Sequence, residues 1–190
     1  MNHTPNYQLN QWEADDRVQR VDFNADNAKI DAALAGLPVE LRRVKLTGAA
    51  KKITFDLTDV DLEQYPRLRV VCPQLNATAG QMGIQVNGTT SGYVRQSATS
   101  TGGSSPSKYA TIGGYGTVST SSTEIFSLAG GTAFHSDSMT VTTPGIVAIW
   151  NWCFLHSQAY RDLKNLDVMC EKEEAYYTAG SEVLLYGLRA

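Results

Sequence analysis

The feature that most constrains this chain is a series of short runs, from Leu41 onward, in which apolar and polar residues alternate. Alternation with a period of two is typical of strands with one buried face, because successive side chains of a strand point to opposite faces. Turn residues separate the runs, and nothing between them resembles a crossover helix, so neighbouring strands should pair antiparallel. The sequence therefore predicts a mainly β fold, an antiparallel β-sandwich that is jelly-roll-like, over residues 39–190.

About ten runs have the length and spacing of strands in sandwiches and barrels. The predicted strands are Arg43–Thr47, Lys52–Leu57, Arg67–Cys72, Met82–Gly88, Gly92–Gln96, Lys108–Ile112, Glu124–Leu128, Ser138–Thr142, Ile146–Leu155 and Glu182–Arg189, with Leu166–Cys170 as a further candidate. The strongest, Ile146–Leu155, is apolar on both faces and should be central in its sheet. Residues 89–123 are about half Ser and Thr, which predicts a long loop over Ser97–Pro106.

One α-helix is predicted ahead of the strands, over residues 22–37. Ala, Leu and Lys favour helix here, and Asp22 or Asn24 is expected to cap its start. Gly36 and Pro38 should end it.

Five residues of this helix follow the four–three spacing of a heptad seam. They are Phe23, Asn27, Ile30, Leu34 and Leu37. A seam of this kind packs against other helices, and the polar Asn27 within it would fix register and oligomeric state. Because two heptads are short, a single amphipathic helix lying on its own body is the alternative.

The residues before the helix form a polar segment with three apolar exceptions, Tyr7, Leu9 and Trp12. These three can bury little alone, so we expect an extended arm that docks on another chain. The organisation predicted is an arm and helix over residues 1–38, followed by a β-sandwich domain over residues 39–190.

The sequence contains no specific catalytic pattern: no GxSxG, Walker A, HExxH or strand-linked GxGxxG motif is present. Three His and three Cys are widely spaced, so we expect no metal site and no cofactor. Two of the cysteines, Cys72 and Cys153, lie in apolar strands and are expected to be buried reduced thiols. We therefore do not expect an enzyme.

Charge and hydropathy exclude two further classes of partner. The formal net charge is −3, from 16 basic and 19 acidic residues, which argues against nucleic-acid binding. The longest apolar run is about ten residues, against the roughly 20 that a membrane-spanning helix needs, so no membrane insertion is expected. The N-terminus does not resemble a secretory leader, which predicts synthesis in the cytoplasm.

Three tyrosines in the Ser/Thr/Gly-rich region are candidates for glycan contact. Tyr93, Tyr109 and Tyr115 could offer ring faces and hydroxyls to a sugar at a low cost in side-chain entropy. The alternative is that they are ordinary half-buried strand residues.

The N-terminal sequence resembles that of a known group of viral proteins. Thr4–Glu13, with its Asn-Tyr and Trp, followed by the DFNADNAKIDAAL segment Asp22–Leu34, is similar to the start of tail-fibre or minor tail structural proteins of phages and prophages of Gram-positive hosts. The resemblance covers about the first 37 residues. More weakly, Ser181–Arg189 resembles the closing strand of β-sandwich domains in phage fibre and virion proteins.

The resemblance implies a non-enzymatic structural protein of the phage virion, in the tail or baseplate, synthesised in the host cytoplasm. Its N-terminus would dock on other tail or baseplate proteins, and its β-sandwich head would be exposed for host contact, with a cell-surface glycan as a candidate partner. Such proteins are often homotrimers. The alternative from another class is a carbohydrate-binding module whose body binds glycans by itself.

Overall fold

The computed structural model describes residues 2–96, 104–113, 118–141 and 147–189. It contains one α-helix, α1 (Arg20–Ala35), and a short 3₁₀ turn at Tyr160–Asp162 among these residues. The strands are β1 (Asn2–His3), β2 (Asn10–Gln11), β3 (Val39–Lys45), β4 (Lys52–Asp56), β5 (Arg67–Asn76), β6 (Met82–Val86), β7 (Tyr93–Gln96), β8 (Ser104–Ser107), β9 (Ala110–Gly113), β10 (Val118–Leu128), β11 (Gly131–Val141), β12 (Val147–His156), β13 (Asn165–Cys170) and β14 (Glu182–Leu188).

Two antiparallel sheets form the body of the molecule. The wide sheet has the order β3-β14-β5-β10-β11-β12-β7-β8, and the narrow sheet has the order β4-β13-β6-β9. If the two inserted hairpins, β7–β8 and β11–β12, are set aside, eight strands remain. Numbered 1 to 8 in chain order, these strands lie side by side in the order 1-8-3-6 in the wide sheet and 2-7-4-5 in the narrow sheet. This is jelly-roll connectivity, so the predicted antiparallel, jelly-roll-like sandwich preceded by an arm and one helix is confirmed.

The apolar core lies between the two sheets and comes from the alternating positions of their strands. Phe55 of β4, Leu68 of β5, Ile84 of β6 and Leu185 of β14 are each at most 1% exposed. In β4 the neighbours of Phe55 in sequence, Thr54 and Asp56, are exposed, as the period of two predicts. Burying side chains of this size contributes roughly 1.5–3 kcal/mol each to folding.

Further along the wide sheet, the inner face changes from apolar residues to hydroxyls. Six buried side chains on β10 and β11 share this feature: Ser119, Ser121, Thr123, Ser136, Ser138 and Thr140. They lie opposite one another across the two strands. The hydroxyls of Ser119 and Thr140 are 2.9 Å apart, and Thr123 donates a hydrogen bond of 3.0 Å to Ser136. This ladder makes β10 and β11 much longer than the predicted strands, which were recognised only by their apolar residues.

Two further expectations need correction. Part of the predicted loop Ser97–Pro106 is a strand, because β8 pairs with β7; residues 97–103 lie outside the described part of the chain. β12 does have strands on both sides, as predicted, but only one of its faces is covered. Val147 and Ile149 on its outer face are 56% and 83% exposed.

The helix ends where the sequence predicts but begins differently. Gly36 is its C-terminal cap, whereas the N-cap is Gln19, which makes no side-chain capping hydrogen bond. The predicted caps, Asp22 and Asn24, lie within the helix. Asp22 is in the first turn, where its carboxylate still interacts favourably with the positive end of the helix dipole.

Gly131 begins β11 where the backbone of β12 comes very close. A Cβ atom at this position would lie 2.3 Å from the carbonyl oxygen of His156. A backbone oxygen in a paired strand cannot rotate away, so a side chain here would displace the two strands.

We therefore expect Gly131→Ala to lower the free energy of unfolding by about 1–3 kcal/mol, the usual cost of overpacking. Gly48→Ala is the matched control, because a Cβ atom at Gly48 would have nothing within 4 Å of it. Urea unfolding monitored by circular dichroism measures both variants. Equal stability of the two would contradict the close approach of β11 and β12.

The buried side chain of His156 connects the end of β12 to the loop after β6. Its Nδ1 accepts a hydrogen bond of 3.1 Å from the backbone N–H of Gln158. Its Nε2 therefore carries the hydrogen and donates to the carbonyl of Ser91 at 2.9 Å. Burial lowers the pKa of His156 below its usual value of 6.5, partly offset by the Ser91 hydrogen bond.

Because the unfolded chain takes up a proton at His156 more readily than the folded chain, the free energy of unfolding should fall as the pH drops below 6.5. We expect His156→Gln to be less stable but to lose this part of the pH dependence. The difference between the unfolding free energies at about pH 7.5 and about pH 5.5 measures this pH dependence. The control is His3→Gln, at an exposed position. An unchanged pH dependence in His156→Gln would show that His156 does not titrate as described.

Candidate functional site

All five residues of the predicted seam are exposed, but only four of them lie on the helix α1, because it ends at Ala35, two residues before Leu37. None of its residues is buried. Among the seam residues, Phe23 is 58% exposed, Ile30 41%, Leu34 56% and Leu37 53%, and Asn27 is also exposed. These exposed apolar side chains are therefore available for contact with another chain.

The N-terminal arm folds back on itself and covers a different side of α1. Strands β1 and β2 pair in a hairpin, with His3 opposite Asn10. The backbone N–H of Asn10 donates a hydrogen bond of 2.9 Å to the carboxylate of Asp26, and the ammonium group of Lys29 donates to the carbonyl of Gln8. The arm therefore contacts the side of the helix that carries Asp26 and Lys29, and the seam residues stay exposed.

The three predicted docking residues lie in this hairpin. Tyr7 is in its turn and is 59% exposed, whereas Leu9 and Trp12 are half-buried. The arm is thus extended only within its two short strands, because the turn that begins at Thr4 reverses it; the N–H of Leu9 donates to the Thr4 hydroxyl. Tyr7 is the most exposed of the three predicted docking residues.

The three candidate glycan-contact tyrosines do not form one surface. Tyr93 is 1% exposed and its hydroxyl accepts a hydrogen bond of 2.7 Å from the N–H of Val86, so it is a core residue and the prediction of glycan contact is wrong for it. Tyr109 is largely buried but lines a surface cleft. Tyr115 lies outside the described residues.

The cleft beside Tyr109 has a volume of about 230 Å³ and also contains Arg95 and Glu171. It lies where the wide sheet extends past β9, the edge strand of the narrow sheet. Sequence reasoning missed this site, because its residues come from strands far apart in the chain. The available signal was that Arg95 is one of only two charged residues between positions 89 and 123.

A row of polar residues on the outer face of the wide sheet includes Glu124, His135 and Cys153, which are neighbours across β10, β11 and β12. They do not form a proton relay. Glu124 pairs with Arg69 at 2.6 Å, and the Nε2 of His135 is 3.2 Å from the side-chain amide of Asn151. The arrangement therefore lacks the nucleophile–base hydrogen bond that activates a cysteine.

The cysteines are all free thiols. Cys72 and Cys170 are buried, and burial raises the pKa of the Cys72 thiol to about 12. Cys153 is exposed, so the expectation that it is buried is wrong. The strand was assigned correctly, but the side chain points to the uncovered face of the sheet.

Comparison with known proteins gives no relative: no family model, no curated protein and no solved structure matches the chain. Within residues 2–96, 104–113, 118–141 and 147–189, no cluster of three His, Cys, Asp or Glu side chains could hold a metal ion. In the same ranges, no helix has both the length and the apolar character to cross a membrane.

The carboxylate of Asp26 is the main link between arm and helix, so removing it should release the arm. In Asp26→Ala we expect amide hydrogen exchange at Asn10 to speed up roughly tenfold or more, the equivalent of one hydrogen bond to a charged group. Asp31→Ala, at an exposed helix position, is the control. Unchanged exchange at Asn10 in Asp26→Ala would contradict the arm placement.

Proposed function

We propose that this protein is a non-enzymatic structural protein of a phage virion, a tail-fibre or receptor-binding component of the tail or baseplate. In this proposal it is a homotrimer joined by the α1 seam. The N-terminal arm docks on other tail or baseplate proteins, and the jelly-roll head is exposed for host contact.

The observation that carries the proposal is the open seam of α1. An isolated helix of 16 residues is marginal in water, and this one buries no side chain within its own chain. Packing against the same helix in other copies would give it the apolar contacts it lacks. Neighbouring heads would hold the helices together, since linked contacts become effectively intramolecular.

A second exposed apolar surface favours subunit packing as well. At one end of the outer face, Val118, Val141 and Val147 lie in one row across β10, β11 and β12, and Met139 and Ile149 lie in the next. All five are between 37% and 83% exposed. Contiguous apolar patches of this kind are typical of protein contacts. The jelly roll itself is a fold used by viral capsid and lectin domains.

Mass measurement by light scattering tests the assembly. We expect the wild-type chain to have about three times its 20.7 kDa chain mass. The double variant Ile30→Asp/Leu34→Asp should dissociate, because two carboxylates in a seam would be buried without partners.

The matched control is Ala28→Asp/Ala32→Asp, which has the same spacing and charge on exposed positions away from the seam. It should retain the wild-type mass. A wild-type monomer at high micromolar concentration, or an unchanged mass for the seam variant, would contradict trimerisation through α1.

The second candidate function, a carbohydrate-binding module, is favoured by the cleft at Arg95 and Glu171. The two candidate functions predict different behaviour for the dissociated seam variant in particle assembly. A carbohydrate-binding module does not need the seam for its function, whereas a trimeric virion component depends on the seam for incorporation into particles. Electron microscopy of particles assembled with the seam variant measures the second property.

A further inference from the structure

The unequal widths of the two sheets create the cleft beside β9. The inner faces of β7 and β8 extend beyond the narrow sheet, whose last strand, β9, packs against β10, β11 and β12. One wall of the cleft is therefore sheet surface that faces inward but is not covered by a second sheet. The other wall is the end of the narrow sheet.

The sheet wall presents a guanidinium group held by aromatic rings. Arg95 pairs with Phe154 across β7 and β12, and its guanidinium lies 5.7 Å from the ring centre of Trp152. Trp152 in turn stacks on Trp150, with ring centres 5.6 Å apart and planes inclined by 12°. Within the described residues Arg95 forms no ion pair, so its N–H donors remain available to a ligand.

The opposite wall contains the carboxylate of Glu171, the residue Gln81 and the ring of Tyr109. Glu171 follows β13, is exposed, and has one carboxylate oxygen 3.4 Å from the backbone N–H of Gln81. The ring of Tyr109 packs directly on Gly83, where a Cβ atom would come within 2.2 Å of it. The missing side chain at Gly83 therefore allows Tyr109 to lie at the base of the cleft.

We propose that this cleft binds a single ring of a neutral saccharide. Its cation and its carboxylate lie within one small cavity, so neither a strongly anionic nor a strongly cationic ligand is favoured. Sugar hydroxyls both donate and accept, and so can bond to Arg95 and Glu171 together. The lining is mostly polar and includes Ser107 and Thr111, which suits a ligand rich in hydroxyl groups, and the volume of about 230 Å³ suits a ligand smaller than a drug-sized molecule.

This proposal deepens the proposed function, because it names the class of ligand that the exposed head would bind. Only the biological role of the cleft rests on the proposed function. Binding itself is independent of the α1 seam. The sugar titrations and the mass measurements on the seam variant are independent experiments. A failure of the titrations would therefore not bear on trimerisation, and the two proposals can fail separately.

A larger groove of about 990 Å³ at the end loops is the main rival site. Its wall is built around Asn87, whose side chain donates to the carbonyl of Asp162 and accepts from the N–H groups of Lys164 and Asn165. These hydrogen bonds give Asn87 a role in holding the loops together. Arg161, which also lines the groove, provides a variant that separates the two sites.

The test is a titration of the full chain with glucose, galactose, mannose and N-acetylglucosamine, followed by NMR of the tryptophan indole N–H groups. We expect at least one sugar to bind with a Kd on the order of 1 mM, typical of a small ligand. The Trp152 signal should shift, and the signal of Trp12 in the arm should not.

Arg95→Gln and Glu171→Gln should each weaken binding roughly tenfold or more, the equivalent of one hydrogen bond to a charged group. Glu173→Gln, an exposed carboxylate in the same turn, is the matched control and should bind as wild type. Thermal unfolding confirms that each variant is folded.

Three results would overturn the proposal. The first is the absence of a Trp152 shift with every sugar up to tens of millimolar. The second is loss of binding in Arg161→Gln with retention in Glu171→Gln, which would move the site to the loop groove. The third is tighter binding of galacturonic acid than of galactose, which would replace the neutral ligand class by an anionic one.

Discussion

The structure depends on the insertion of the last strand, β14, between β3 and β5. Val183 and Leu185 of this strand are completely buried, and its backbone pairs with both neighbours along most of its length. In the described chain, β3 pairs with no strand other than β14. Because β3 follows α1 after only a few residues, the C-terminal strand also fixes the point from which the N-terminal helix and arm leave the body.

The addition of two hairpins to one sheet, with no matching addition to the other, explains the unusual surfaces of the molecule. β7–β8 and β11–β12 widen one sheet to eight strands while the other keeps four. Where the added strand β11 still faces the narrow sheet, it lines the interior with hydroxyls such as Ser136, which accepts a hydrogen bond from Thr123 of β10. Where the added strands extend past it, Arg95 and Pro106 border an open cleft. The same widening exposes the apolar outer rows around Ile149.

The sequence predicted strands wherever apolar residues alternate, and failed where hydroxyls took their place. β10 was recognised only around Ile125 and β11 only around Met139, because Ser and Thr give no hydrophobic period even when buried. Periodicity also does not reveal which face a strand buries. Tyr93 therefore became a surface candidate and Cys153 a buried one, and both assignments were wrong. The partners of Arg95 are fixed by strand order, which single-residue patterns do not contain.

The contacts between the arm and α1 determine which side chains of the helix are covered and which stay exposed. If α1 lay on its own body, its apolar residues would be covered and its polar residues would face solvent. The structure has the opposite arrangement: Asp26 and Lys29 are engaged by the arm, while Phe23 and Leu34 are exposed. An intramolecular contact that covers polar groups and leaves apolar ones open gives the helix little stability of its own. Under the proposed trimerisation, folding of the helix is coupled to association, and the helix gains order as copies of the chain assemble.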